Sequence, residues 1–110
     1  MTDRAVVPRL RARQDIDEAL NYYVSEAGDD VALQFIDALE AAYRHLLEHP
    51  ASGSLRYSYE LDLPGLRTWP LQGFPWLIFY RDTGQQVDVW RVLHGNRDIP
   101  TWMGDVISDD

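Results

Sequence analysis

Two histidines four residues apart mark the first place where this sequence holds side chains suited to chemistry. His45-Leu46-Leu47-Glu48-His49 fits H-x-x-E-H, in which both imidazoles share a helical face and a glutamate serves as base beside a zinc ion. Pro50 follows directly and disfavours helical geometry at His49, and the sequence offers no evident third ligand. Histidines in a last helical turn also suit the helix dipole. The structural reading of this string is preferred, so no metal and no cofactor are expected. Ser25, Ser52, Ser54, Ser58 and Ser108 lie outside any G-x-S-x-G context, and the seven glycines form no phosphate-cradling loop. No catalytic residue is assigned.

A second constellation lies in the later half. Arg67, Arg81, Arg91 and Arg97 alternate with Trp69, Trp76, Tyr80, Trp90 and His94. Guanidinium groups grip phosphate or carboxylate in two-pronged fashion, and aromatic rings offer stacking surface. The same residues also read as packing, with the rings in the core and the arginines paired to Asp62, Asp82, Asp88 and Asp98. His94, beside Gly95, suits a hydrogen-bonded strand end.

The elements that must position these residues follow from periodicity. Residues 4 to 9 read as a short strand with Pro8 at an edge. Ile16, Ala19, Leu20, Tyr23 and Ala27 recur at helical spacing, with Asp15, Asp17 and Glu18 expected in the first turns. Gly28 stops that helix, and Asp29 or Asp30 is placed to cap a second one carrying Val31, Phe35, Ala38, Leu39, Ala42 and Leu46. Residues 51 to 64 read as loop. Leu66–Trp69, Trp76–Arg81 and Val87–His94 read as strands, the last two joined by a turn at 82–85. Residues after Asp98 are expected to form a short C-terminal helix holding Trp102 and Val106. The fold class is α+β, in the order β-α-α-β-β-β, with a helical hairpin on a mostly antiparallel sheet and one sheet face partly open.

The 110 residues point to a single domain, 1–110, with a core over about residues 4 to 103. A hydrophobic content of 45% with 12% aromatics argues against disorder. The absence of cysteine excludes disulfide scaffolds, zinc–thiolate sites and thiol catalysis. Apolar runs such as Trp76 to Tyr80 are too short for a membrane span, and no apolar segment follows Arg4, Arg9, Arg11 and Arg13 as a signal peptide requires. A cytoplasmic location is expected. All ten basic residues are arginine, and 18 acids give a net charge of −8. That balance excludes a chain that coats nucleic acid through overall basicity, although a local basic site stays open.

At this point the residues resemble a family. Gly65-Leu66-Arg67-Thr68-Trp69-Pro70-Leu71, then Leu77-Ile78-Phe79-Tyr80-Arg81, then Val89-Trp90-Arg91-Val92-Leu93-His94-Gly95-Asn96-Arg97-Asp98 resemble ParE toxins of the RelE/ParE superfamily. Asp15-Ile16, Phe35 to Leu39, and Leu46-x-x-His49-Pro50-x-x-Gly53 fit the same pattern upstream. The resemblance implies the toxin of a type II toxin–antitoxin pair, which blocks DNA gyrase by binding. It also implies a ParD-like antitoxin whose disordered tail wraps the toxin's hydrophobic surfaces in a hetero-oligomer. The target-binding candidates it suggests are Arg67, Trp69, Tyr80, Arg81, Arg91, His94 and Arg97, the arginines as polar contacts or scaffold pairs. Trp69 and Tyr80 are stacking or core candidates. Tyr23, Phe35, Leu39 and Trp102 are antitoxin-binding candidates, and Met103 beside Trp102 is a further one for either partner. The superfamily's RelE-like branch cleaves mRNA in the ribosome, and a non-toxic remnant that only binds an antitoxin is a further alternative. An acidic chain is repelled by the polyanionic ribosome, so binding without cleavage and without direct nucleic-acid contact is expected.

The charge is unevenly spread. Residues 1 to 63 carry 6 arginines and 12 acids, a net −6, whereas residues 64 to 98 carry 4 arginines and 3 acids, a net +1. The final 12 residues add three acids, a net −3. The strand block that bears the family motif is therefore slightly basic.

Overall fold

Pro8 and Gly28 punctuate the first third of the chain. The computed structural model describes residues 4–95 and Ile99. Strand β1 (Val6–Pro8) ends at the proline, and Arg9 stays extended at φ −70° and ψ 166° before helix α1 (Leu10–Glu26) begins. The helix thus opens five residues before Asp15, and its first turn holds no acidic residue. This corrects the expectation that Asp15, Asp17 and Glu18 sit at the helix start. Asp15 lies in the second turn, on the inner face with Ala12 and Ala19, and is buried.

Gly28 reverses the chain at φ 92°, a left-handed conformation that glycine adopts without a Cβ clash. The N–H groups of Ala27 and Gly28 both bond the Tyr23 carbonyl. Helix α2 (Asp29–Glu48) follows, with Gly28 as its N-cap. Asp29 and Asp30 do not cap it through their side chains but lie in its first turn, where they complement the dipole. Ala27, expected on the inner face of α1, is an exposed residue just past the helix end. Along α2, Ala32, Phe35, Leu39, Ala42 and Leu46 recur at three and four residues and are all buried.

After His49, Pro50–Ser52 form a 3-10 turn and Arg56–Glu60 a short helix α3, within the stretch that reads as loop. Five residues give too little periodicity to reveal a helix. The sheet comprises β1, β2 (Arg67–Pro70), β3 (Trp76–Asp82) and β4 (Val87–His94) in the order β1-β4-β3-β2. Both β2–β3 and β3–β4 are antiparallel, while β1 lies parallel to β4 with Val6 opposite Val87 and Pro8 opposite Val89. Among the described residues the fold is therefore α+β, three helices and a four-stranded mixed sheet.

Opposite β3, the register of β4 slips by one residue. Phe79 faces Arg91 and Tyr80 faces Val89, so Trp90 is left over as a bulge. Val89 and Val92 consequently both join the core under the helices, with Phe35, Leu39, Leu46, Ile78 and Tyr80. Each such fully buried side chain contributes about 1.5–3 kcal/mol. The opposite sheet face, expected to be partly open, holds a second cluster of Leu66, Phe79, Trp90, Leu93 and Ile99. Tyr57, Leu61 and Leu63, from α3 and the segment after it, fold across that face. The expected C-terminal helix, with Trp102 and Val106, lies outside the described residues.

Candidate functional site

Of the three described arginines in the strand block, Arg67, Arg81 and Arg91, the fold encloses Arg91 most completely. It is 1% exposed, and its Nε and Nη2 donate to the two carboxylate oxygens of Asp15 at 2.8 Å each. Oδ2, the oxygen that accepts from Nε, also accepts the backbone N–H of Val92 at 3.0 Å. Strand β1 stops opposite Val89, so α1 lays Asp15 where the next strand residue would otherwise receive that N–H. Arg91 is thus a scaffold pair and not a surface contact, and its carboxylate partner among the described residues is Asp15 rather than the nearby Asp62, Asp82 or Asp88. Asp82 pairs instead with Arg4, and Asp88 with Arg9 at 3.2 Å. The parallel seating of β1 beside β4 carries these N-terminal arginines to them. Arg9 also lies 4.5 Å above the Trp90 ring, whose Nε1 donates to Asp88.

Arg67 and Tyr80 are register partners on β2 and β3, and both reach the turn that follows α2. The Tyr80 hydroxyl donates to the Pro50 carbonyl at 2.7 Å and accepts the Gly53 N–H at 3.0 Å. Arg67 Nη1 donates to the carbonyls of Ala51 and Gly53 at 3.0 and 2.8 Å. Burial pushes the Tyr80 hydroxyl above the usual tyrosine pKa, against the opposing pull of the Gly53 N–H and the Arg67 charge. Tyr80 has no solvent exposure and serves as core. Together the two side chains tie residues 50–53 to the sheet.

The H-x-x-E-H string spans the end of α2. The ring centres of His45 and His49 lie 5.2 Å apart, but His45 stacks on Trp69 at 4.2 Å and 17°. Ser52 Oγ donates to the His49 carbonyl at 2.7 Å and so accepts a hydrogen bond from His45 Nε2–H at 3.0 Å. The His45 side chain is thus occupied in joining α2 to the turn and to β2, whereas His49 contributes its backbone carbonyl and leaves its ring largely exposed. Among the described residues, no group of three His, Cys, Asp or Glu side chains is arranged to hold a metal ion. Between α2 and β2 runs a groove of about 570 Å³, floored by Ala38, Ala41 and Ala42 and bounded by His45, Trp69 and Pro70.

Three of the candidates for antitoxin contact fall within the described residues. Phe35 is fully buried and Leu39 nearly so, because the inner face of α2 packs directly on the sheet. Tyr23 is half-buried in a ring cluster, 5.3 Å from Phe35 and from Phe74, and its hydroxyl accepts Trp76 Nε1–H at 2.9 Å. Tyr23, Tyr22 and Trp76 wall a cleft of about 350 Å³ between α1 and the end of β4, with Glu18, Asp15 and His94 also lining it. His94 is half-buried, opposite Trp76 in the register and edge-on to its ring at 5.4 Å. Arg81 is exposed at the end of β3 and lies along Gly65. Arg97 and Trp102 lie outside the described residues.

Sequence reasoning missed Asp15 as a functional group, although its place three residues after Ala12 and four before Ala19 put it on the apolar stripe. It also missed Glu18 and Tyr22, which no motif marks. The family model of the ParE toxin of the type II toxin–antitoxin system parDE matches residues 6–99, from β1 through all the described elements. The chain belongs to the ParE toxin family. It is similar to Toxin ParE3 of Caulobacter vibrioides, with 28% identity over 90 residues covering 82% of this chain and 85% of that protein. It also shares its fold with a chain of the chromosomal ParDE TA system from P. aeruginosa, at a TM-score of 0.68 and 23% identity, over 83% of this chain and 95% of that one. In this ParE-family chain no helix among the described residues is long and apolar enough to cross a membrane. The region matched by the family model contains both ends of the Asp15–Arg91 pair, both clefts and the turn held by Arg67 and Tyr80.

Proposed function

We propose that the chain is a cytoplasmic toxin that stalls DNA gyrase by binding it, and that a ParD-like antitoxin docks on the helical side to neutralise it. The observation that carries this reading is the ParE family match across residues 6–99. The geometry supports binding over catalysis. Arg91, the most central arginine available for gripping a scissile phosphate, is committed to Asp15 and closed off from solvent. His94 packs edge-on against Trp76. The two clefts flanking the helical hairpin suit side chains of a segment that folds as it binds. On the target side, Arg81 is the exposed cation among the described residues of the strand block, so it leads as a polar contact to the target.

Induction of the chain in cells, alone and with the product of the adjacent gene, tests the proposal. A DNA-damage response that starts while translation continues, and that the neighbouring product abolishes, is the expected result. Translation arrest with cut transcripts before any DNA damage would replace the reading with a ribonuclease. Unchanged growth without the neighbour would leave a non-toxic antitoxin binder.

A further inference from the structure

We propose that the cleft between α1 and the end of β4 receives the guanidinium group of an arginine carried by the antitoxin, a partner whose identity rests on the function proposed above. Three rings (Tyr22, Tyr23 and Trp76) bound the cleft, and its charged rim is acidic. Trp76 Nε1 is spent on the Tyr23 hydroxyl, which fixes these two rings against each other. They offer π surface more than hydrogen-bond donors. Aromatic faces beside a carboxylate select a cation, and a planar delocalised one stacks better than a compact ammonium.

Charge bookkeeping inside the cleft sharpens the choice. Asp15 is already neutralised by Arg91 and by the Val92 N–H, so it adds no unmatched charge. Glu18, one turn further along α1, is exposed and forms no ion pair among the described residues. No arginine among the described residues lines the cleft to compete for it. An incoming carboxylate would meet Glu18 unfavourably, and an apolar side chain would strip water from it without replacement. The volume of about 350 Å³ admits one long side chain and not a helix. Charge on the larger scale points to a protein source. Residues 1 to 63, which supply α1, carry a net −6, a field that draws a basic segment toward this side of the molecule.

The test uses the whole chain and N-acetyl-arginine methylamide as probe, with the neutral isostere N-acetyl-citrulline methylamide as control. NMR titration should shift the indole N–H of Trp76 with the arginine probe and much less with citrulline. Glu18→Gln should weaken binding by about threefold, and Tyr22→Ala, at an exposed position, by roughly twofold to fivefold. Equal shifts with citrulline, or a Glu18→Gln protein that binds unchanged, would overturn the cation preference. An absence of shifts at Trp76 and Tyr23 up to tens of millimolar probe would overturn the site itself. These readouts need no antitoxin, so a failed toxin reading leaves them intact. The complex with the adjacent gene's product should then lose the probe response; a complex that still takes up the probe like the free chain would remove the antitoxin as occupant.

Discussion

Asp15 meets three donors with two oxygens, two of the donors belonging to the buried Arg91 guanidinium. Neither half is neutral to remove. Asp15→Asn keeps the shape but takes the carboxylate charge away from a buried guanidinium, which is expected to cost about 3–5 kcal/mol in urea denaturation. The double change Asp15→Leu with Arg91→Met removes both charges and should recover most of that loss; no recovery would show that the pair itself is favourable beyond its charge balance. Tyr43 presents the opposite case, since its hydroxyl finds no hydrogen-bond partner among the described residues. Tyr43→Phe is expected to be neutral or to stabilise by up to about 1 kcal/mol. Burial pushes Tyr43 from 10.0 to about 12, with Arg13 pulling slightly the other way. The folded state therefore holds this proton more tightly than the unfolded chain does. The associated stability is complete below pH 10 and declines as pH rises toward about 12, so the Tyr43→Phe protein should lose less stability than wild type across that window. Arg67, Arg91 and Tyr80 were legible in the sequence as chemically special, but their partners were not. Hydrogen-bond partners 14 to 76 residues away leave no local spacing to read.

Among the elements, helices and strands were legible because each carries its own period. Phe35, Leu39, Ala42 and Leu46 announce α2, and the apolar run Trp76–Tyr80 announces β3. Two features had no such signal. The parallel docking of β1 on β4 depends on the two helices between them, and α3 is shorter than two turns. The turns make separate predictions. Gly28→Ala places a side chain at φ 92° with open space around it, so its cost is purely conformational, about 1 kcal/mol by thermal melting. Gly53→Ala is different in kind. Its Cβ would stand 2.5 Å from the Tyr80 hydroxyl and 2.9 Å from the Thr68 carbonyl, forcing the 50–53 turn off the sheet. An expected loss of about 1–3 kcal/mol should be accompanied by a changed environment at Trp69, readable by fluorescence.

At the scale of the molecule, the net charge of −8 acts against compaction while the strand block remains near neutral. Raising ionic strength from about 0.01 M to about 0.15 M shortens the screening length from about 30 Å to about 8 Å. The melting temperature of the free chain should rise over that range, and a fall would mean that ion pairs such as Arg9–Asp88 outweigh the long-range repulsion. The same closure of first strand on last has a further consequence during synthesis. Val6 to Pro8 find their strand partners at Val87 to Val89, and Asp15 waits 76 residues for Arg91. At about 5–20 residues per second that wait lasts roughly 4 to 15 seconds. Throughout it the emerging helical hairpin lacks β4, the strand that joins β1 to β3, so an antitoxin already present would meet a chain still short of its last strand.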